Sequence, residues 1–109
     1  MPLTLSHRRT DGDAVIALDG ELDLSSASDL AQLADELVRD GASNIIMDAQ
    51  RLTFCDSSGL RILVSIANDL RPMGGRVAIL NPQPFVLRVL ELTGLDRTVM
   101  IDWDPPEHL

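Results

Sequence analysis

Two adjacent serines follow an acidic residue at residues 54–60, where an apolar segment ends and a strongly helical one begins. Asp56 suits the helix N-cap, because its carboxylate can accept hydrogen bonds from backbone N–H groups in the first turn. Ser57 and Ser58 then occupy that turn, where free N–H groups can receive a phosphoryl group on Ser58, and Gly59 would let another surface come close. Because Asp56 would repel that phosphate, the site could exist modified or unmodified while its charge changes by about −1.5 to −2. The pattern predicts a regulatory switch, with plain helix capping as the alternative.

The elements before this stretch follow from hydrophobic periodicity and turn residues. Alternating leucines at residues 3–5 and an apolar run at 14–18, joined by an Asp-Gly turn, predict a β-hairpin. Residues 20–24 are interpreted as a loop carrying two acids. A first helix is then predicted from an apolar stripe, with Ser26 and Asp29 at the spacing of a capping box.

The elements after it complete an alternation of strands and helices. Residues 45–47 are a predicted strand closed by Asp48, and residues 50–55 the connection into the helix that starts at Asp56. A further strand at 77–80 precedes a helix opened by Asn81-Pro82 and ending near Gly94, and residues 99–101 are a last short strand. The order β-β-α-β-α-β-α-β predicts an α/β fold. Its small mixed sheet has an opening antiparallel hairpin, then parallel βαβ units, with about three to four helices packed mainly on one face.

Length and charge narrow the classes of protein. The 109 residues suit one domain, residues 1–109, with a core at about 3–101 and a short proline-containing tail at 102–109. A net charge of −8 argues against direct binding of nucleic acid or an anionic membrane and allows a basic partner patch to steer association. The chain contains no lysine, which excludes three kinds of site that need one: a P-loop, a Schiff-base site and a phospho-aspartate receiver site. No Cys/His cluster suggests a metal, and no segment suggests a signal peptide or a spanning helix.

The single cysteine, Cys55, excludes an intramolecular disulfide and is compatible with a reducing cytoplasm. Two interpretations stay open for it: a redox-sensitive thiol beside the serines, or a small buried hydrophobic residue. His7 and His108 are assigned no role. A hydrolase is disfavoured, because Ser58 lies in no Gly-x-Ser-x-Gly elbow.

A known family shows the same order of elements and three of the same motifs. Residues 20–23 before the first helix, Asp56-Ser57-Ser58-Gly59-Leu60 at the second, and Gly74-Gly75 before the next strand resemble the STAS domain of bacterial anti-sigma factor antagonists. The resemblance spans about residues 3–101. It implies a cytoplasmic partner-switching protein whose unphosphorylated form binds an anti-sigma factor that is also a serine kinase, so that the sigma factor is released. It further implies that the kinase phosphorylates Ser58, that the modified form dissociates, and that a serine phosphatase restores it.

The resemblance also implies roles for particular residues. Ser58 would be the phosphorylation site, with Ser57 as the second choice. Asp23, Asp56, Ser57, Gly59 and Arg61 would lie on the partner-binding surface, where Arg61 would meet ATP phosphates or an acidic patch, or would simply be solvated. No catalytic residue, metal or cofactor is expected, and a weak homodimer is left open. The alternative function is a small-ligand or nucleotide-sensing STAS module of a larger signalling assembly.

Overall fold

Five strands form one mixed sheet in a computed structural model that describes residues 1–103. The strands are β1 (Thr4–Thr10), β2 (Asp13–Leu22), β3 (Asn44–Cys55), β4 (Val77–Leu80) and β5 (Met100–Asp102). They lie in the sheet in chain order; β1 is antiparallel to β2, and the other neighbours are parallel. The predicted fold class is therefore confirmed. His108 and most of the predicted proline-containing tail lie outside the described residues.

Three α-helices connect the parallel strands within residues 1–103. They are α1 (Leu24–Arg39), α2 (Ser57–Leu70) and α3 (Pro84–Thr93), with short 3-10 helices at Arg71–Met73 and Leu95–Arg97. Right-handed crossovers between strands that follow chain order place all three helices on one face of the sheet. The inward-facing strand residues join the apolar stripes of the helices in one core, which includes Ile16, Leu18, Leu30, Ile45, Met47, Leu63, Ile79, Val86 and Leu90.

The second strand runs further than the sequence predicted. Residues 20–22 pair with β3 and belong to β2, so the prediction of a loop at 20–24 is wrong. Glu21 is half-buried while Gly20 and Leu22 are buried, so polar and buried residues alternate with the period of a strand. Helix α1 consequently begins at Leu24 with Asp23 as its N-cap, and the predicted capping box of Ser26 with Asp29 is also wrong.

The third strand also extends past its predicted end. Asp48 does not close it, and residues 50–55 continue β3 instead of forming a connection. These residues pair with β2 up to Leu22↔Cys55, and this long-range pairing overrides their polar composition. At α3 the N-cap is Gln83 and the first-turn proline is Pro84, so the predicted start at Asn81-Pro82 is wrong. The predicted helix end at Gly94 is confirmed, since Gly94 is the C-cap with φ 77°.

Candidate functional site

Asp56 begins helix α2 as the sequence predicted. Its Oδ1 atom accepts hydrogen bonds from the backbone N–H groups of Ser58 (2.9 Å) and Gly59 (3.1 Å). Its own N–H donates to the carbonyl oxygen of Leu22 at 3.1 Å, which ties the start of α2 to the end of β2. Ser57 and Ser58 therefore lie in the first turn of α2, at the carboxyl end of the parallel strands, where sites in such sheets collect.

The side chains of the two serines in this turn are not used by the fold. Ser57 is exposed and Ser58 is half-buried. Within residues 1–103, neither hydroxyl makes a hydrogen bond, since Ser58 contributes only its backbone N–H to the cap. A serine hydroxyl with no protein partner and access to solvent is available to an incoming reagent.

Helix α1 also begins with an aspartate cap followed by serines, but here the serine hydroxyls form hydrogen bonds. Asp23 Oδ1 accepts hydrogen bonds from the N–H and hydroxyl groups of both Ser25 and Ser26, at 2.7–3.2 Å. The Ser26 hydroxyl also accepts from the Asp23 N–H at 3.0 Å, which completes a capping box. These bonds, the Ser25 hydroxyl first, lower the pKa of Asp23. The hydroxyls of Ser25 and Ser26 are thus engaged, whereas those of Ser57 and Ser58 have no partner within residues 1–103.

Asp23 and Asp56 occupy the same end of the sheet. Asp23 directly follows Leu22, the residue whose carbonyl binds the Asp56 N–H. The structure therefore brings together two of the residues that the sequence assigned to partner binding, although 32 intervening residues separate them in the chain. Their negative charges make this end of the sheet acidic.

Gly59 is buried and faces the interior of the protein. A Cβ atom built on it would lie 2.6 Å from Leu22 Cγ and 2.9 Å from Cys55 Sγ. A glycine is therefore required for α2 to approach the ends of β2 and β3 this closely. The predicted contact of Gly59 with a partner stays a prediction.

Arg61 lies on the exposed surface of α2, three residues after Ser58. Residues three apart share one side of a helix, so Arg61 lies on the same side as Ser58. Within residues 1–103 its guanidinium makes no ion pair or hydrogen bond, and so it keeps its donors for an external group.

Cys55 is 3% exposed and belongs to the hydrophobic core. Burial, followed by the negative charge of Asp56, raises the pKa of its thiol from 9.0 to about 12. A thiol that stays protonated and inaccessible at neutral pH is a poor nucleophile. Of the two interpretations left open by the sequence, the structure favours the small buried hydrophobic residue.

One feature near this site has no signal in the local sequence. The rings of Phe54 and Phe85 stack with centroids 5.9 Å apart and an interplanar angle of 15°. Phe54 precedes Asp56 by two residues, but Phe85 comes from the start of α3, so only the folded chain brings them together.

Metal-binding clusters and membrane-spanning helices are both absent from residues 1–103. No group of three or more His, Cys, Asp or Glu side chains in residues 1–103 could hold a metal ion. None of the helices there has the length and apolar character needed to cross a bilayer.

Comparisons with known proteins show the family to which this chain belongs. A family model described as "Mlab, STAS domain" matches residues 5–102. The anti-sigma F factor antagonist of Lysinibacillus sphaericus is 31% identical over 79% of this chain and 74% of its own length. This chain belongs to the STAS-domain family of anti-sigma factor antagonists.

Two solved structures of proteins named SpoIIAA are similar to this chain. The anti-sigma factor antagonist SpoIIAA in its unphosphorylated form has a TM-score of 0.81 and 29% identity, over 98% of this chain and 91% of its own. The phosphorylated form of the Bacillus protein SpoIIAA has a TM-score of 0.74 and 28% identity, over 98% and 95%. The STAS fold of this chain therefore matches SpoIIAA in both states.

Proposed function

We propose that this chain is an anti-sigma factor antagonist whose binding is switched by phosphorylation of Ser58. In its unmodified form it binds an anti-sigma factor that is also a serine kinase, and the sigma factor is released. The kinase then transfers a phosphoryl group to Ser58, the complex dissociates, and a serine phosphatase returns the chain to its binding form. The chain acts in the cytoplasm as a regulatory partner and kinase substrate, with no catalytic residue of its own.

The observation that carries this proposal is the contrast between the backbone and the side chain of Ser58. Its N–H is held by Asp56 at 2.9 Å, whereas its hydroxyl is free within residues 1–103. In the transfer, Ser58 Oγ would form a bond to the γ-phosphorus of ATP, the bond to the β-phosphate would break, and ADP would leave. The hydroxyl proton would pass to a base in the kinase.

The effect on binding follows from charge. A phosphate on Ser58 would add about −1.5 to −2 charges beside Asp56, at an end of the sheet that also carries Asp23. A partner that packs against this surface would have to bury that charge. The single positive charge of Arg61 on the same side of α2 would offset only part of it, and burying the remainder costs several kcal/mol. Asp23, Asp56, Ser57, Gly59 and Arg61 are the residues that we expect at this contact.

The test uses the anti-sigma factor kinase encoded in the same genome, purified and mixed with this chain and ATP. We expect intact mass to show one added phosphoryl group on the wild type and none on Ser58→Ala. The affinity of Ser58→Ala should match that of the unmodified wild type, while Ser58→Asp should bind about tenfold or more weakly. Equal affinities of the two variants, or transfer to Ser58→Ala, would reject Ser58 as the switch and direct attention to Ser57.

The same mixture tests the alternative of a sensor module. Thermal stabilisation by ATP or another small ligand, without phosphoryl transfer, would support a ligand-sensing STAS module instead. Sedimentation of the unmodified chain alone tests the weak homodimer.

A further inference from the structure

Strand β3 continues well past the point where its neighbour β4 ends. On β3, strand β4 pairs with residues 45–48, whereas β3 continues to Cys55. The segment leading into α3 lies beside this extension, since the Gln83 side-chain amide donates a 2.8 Å hydrogen bond to the Gln50 carbonyl oxygen. The start of α3 is thereby held against the last residues of β3.

This arrangement places the only two phenylalanines of the chain together on the surface. Phe54 is 37% exposed and Phe85 is 52% exposed, although their rings stack on each other. Stacking fixes both rings, so a partner that covers them would lose little side-chain entropy in binding. Exposed, pre-ordered aromatic rings are typical of residues that dominate the energy of an interface.

The aromatic pair lies at the same end of the sheet as the serine switch. Phe54 and Ser58 are four residues apart, so their Cα atoms can be separated by at most about 15 Å. Leu24, which follows the Asp23 cap, is 78% exposed at this end. The apolar surface formed by Phe54 and Phe85 therefore lies toward the start of α2, at the end of the sheet where Leu24 is also exposed.

The charges around this surface favour one kind of partner. Asp56 follows Phe54 by two residues, and Glu21, two residues before the Asp23 cap, pairs with Phe54 in the sheet. The exposed Arg88, one turn after Phe85 on α3, is a basic residue close to the pair, so acids outnumber bases there. A second copy of this chain, with net charge −8, would bring more acids to the same place. A different protein with basic residues around an apolar pocket would complement it.

We infer that Phe54 and Phe85 form the apolar anchor through which this chain binds its anti-sigma factor kinase, next to Ser58. The inference rests on the proposed function, because it concerns the same partner. The stacked rings supply most of the affinity for the kinase, and the charge state of Ser58 controls whether the kinase can cover the surface around them.

The test compares the affinities of point variants for the purified kinase from the same genome. Phe54→Ala and Phe85→Ala should each raise the dissociation constant about tenfold or more, as truncation of an interface anchor does. Leu92→Ala is the matched control, because Leu92 is 70% exposed on α3 but lies near the other end of that helix; its affinity should stay within about twofold of wild type. Phe54→Leu and Phe85→Leu, which keep apolar contacts for folding, should bind with intermediate affinity.

The outcomes separate the two proposals. If both alanine variants bind as Leu92→Ala does while Ser58→Asp is impaired, the anchor is rejected and the proposed function stands. If the wild type neither binds the kinase nor receives a phosphoryl group, the proposed function fails and the anchor with it. If the alanine variants change self-association of this chain and leave kinase binding intact, the surface is a homodimer contact and the anchor is rejected.

Discussion

The backbone N–H of Ser58 donates a 2.9 Å hydrogen bond to Oδ1 of Asp56, while the hydroxyl of Ser58 binds no group in residues 1–103. The backbone of this serine therefore belongs to the helix cap, and its side chain does not. Changes at the hydroxyl can alter the surface without removing the cap. Substitution of Asp56 should instead remove the cap and leave the Ser58 hydroxyl unchanged.

Replacement of Asp56 tests the cap. Asp56→Ala should lower the free energy of unfolding by about 1 kcal/mol, because the Ser58 and Gly59 N–H groups lose their acceptor. Asp56→Asn is the matched control, since its amide oxygen can accept the same bonds without the charge, and it should stay within a few tenths of a kcal/mol of wild type. Urea unfolding measures both; equal losses in the two variants would show that the charge, and not the hydrogen bonds, stabilises the start of α2.

Replacement of Gly59 tests the close packing of α2 against β2 and β3. A methyl group there would overlap Leu22 Cγ, so Gly59→Ala should destabilise the protein by about 1–3 kcal/mol despite the higher helix propensity of alanine. Ser65→Ala, at an exposed position of α2, should change stability by less than about 0.5 kcal/mol. A Gly59→Ala variant as stable as wild type would mean that α2 can move away from β2 at little cost.

The thiol of Cys55 gives a prediction for reactivity and pH. At pH 8 a maleimide should label the native protein roughly a hundredfold or more slowly than the protein unfolded in guanidinium, because the folded thiol is buried and protonated. The folded pKa of about 12 lies above the ordinary 9.0, so deprotonation favours the unfolded chain. The stability contribution of this group is complete below pH 9 and is lost as pH rises toward 12.

Cys55→Ala is the control for the pH effect. Its free energy of unfolding should decline less steeply between pH 9 and pH 11 than that of wild type, because it has no thiol to deprotonate. Parallel pH profiles, or rapid labelling of the native wild type, would show that the thiol is reachable. The redox interpretation of Cys55 would then regain support.

Local capping chemistry explains why the start of α2 could be predicted from the sequence. A helix N-cap such as Asp56 interacts with backbone groups only two or three residues away. The residues that determine the cap are therefore adjacent in the sequence and can be recognised without knowledge of the fold. The end of α3 at Gly94 is predictable for the same reason, because a left-handed C-cap favours glycine.

Features that depend on distant partners were predicted less well. Residues 20–22 and 50–55 contain polar and acidic side chains, which resemble a loop when viewed alone. Their pairing with one another makes them strands: residues 20–22 bury alternate positions, whereas only Leu52 and Cys55 are buried in 50–55. The contact of Phe54 with Phe85 joins β3 to α3 and has no local signal at all. Local sequence patterns therefore predict the start of α2 at Asp56, but not the aromatic pair beside it.

A negative charge at Ser58 should leave the fold nearly unchanged. In Ser58→Asp, the helix start favours the new carboxylate by about 0.3–1 kcal/mol, and repulsion from Asp56 opposes it by a similar amount. We therefore expect the free energy of unfolding to stay within about 0.5 kcal/mol of wild type. In an Asp56→Asn background the repulsion is absent, so Ser58→Asp should become stabilising, with a coupling energy of about 0.5 kcal/mol in a double-mutant cycle. A loss above about 2 kcal/mol in Ser58→Asp alone would contradict this balance, because the fold itself would then depend on a neutral Ser58 and weak partner binding by that variant would reflect unfolding.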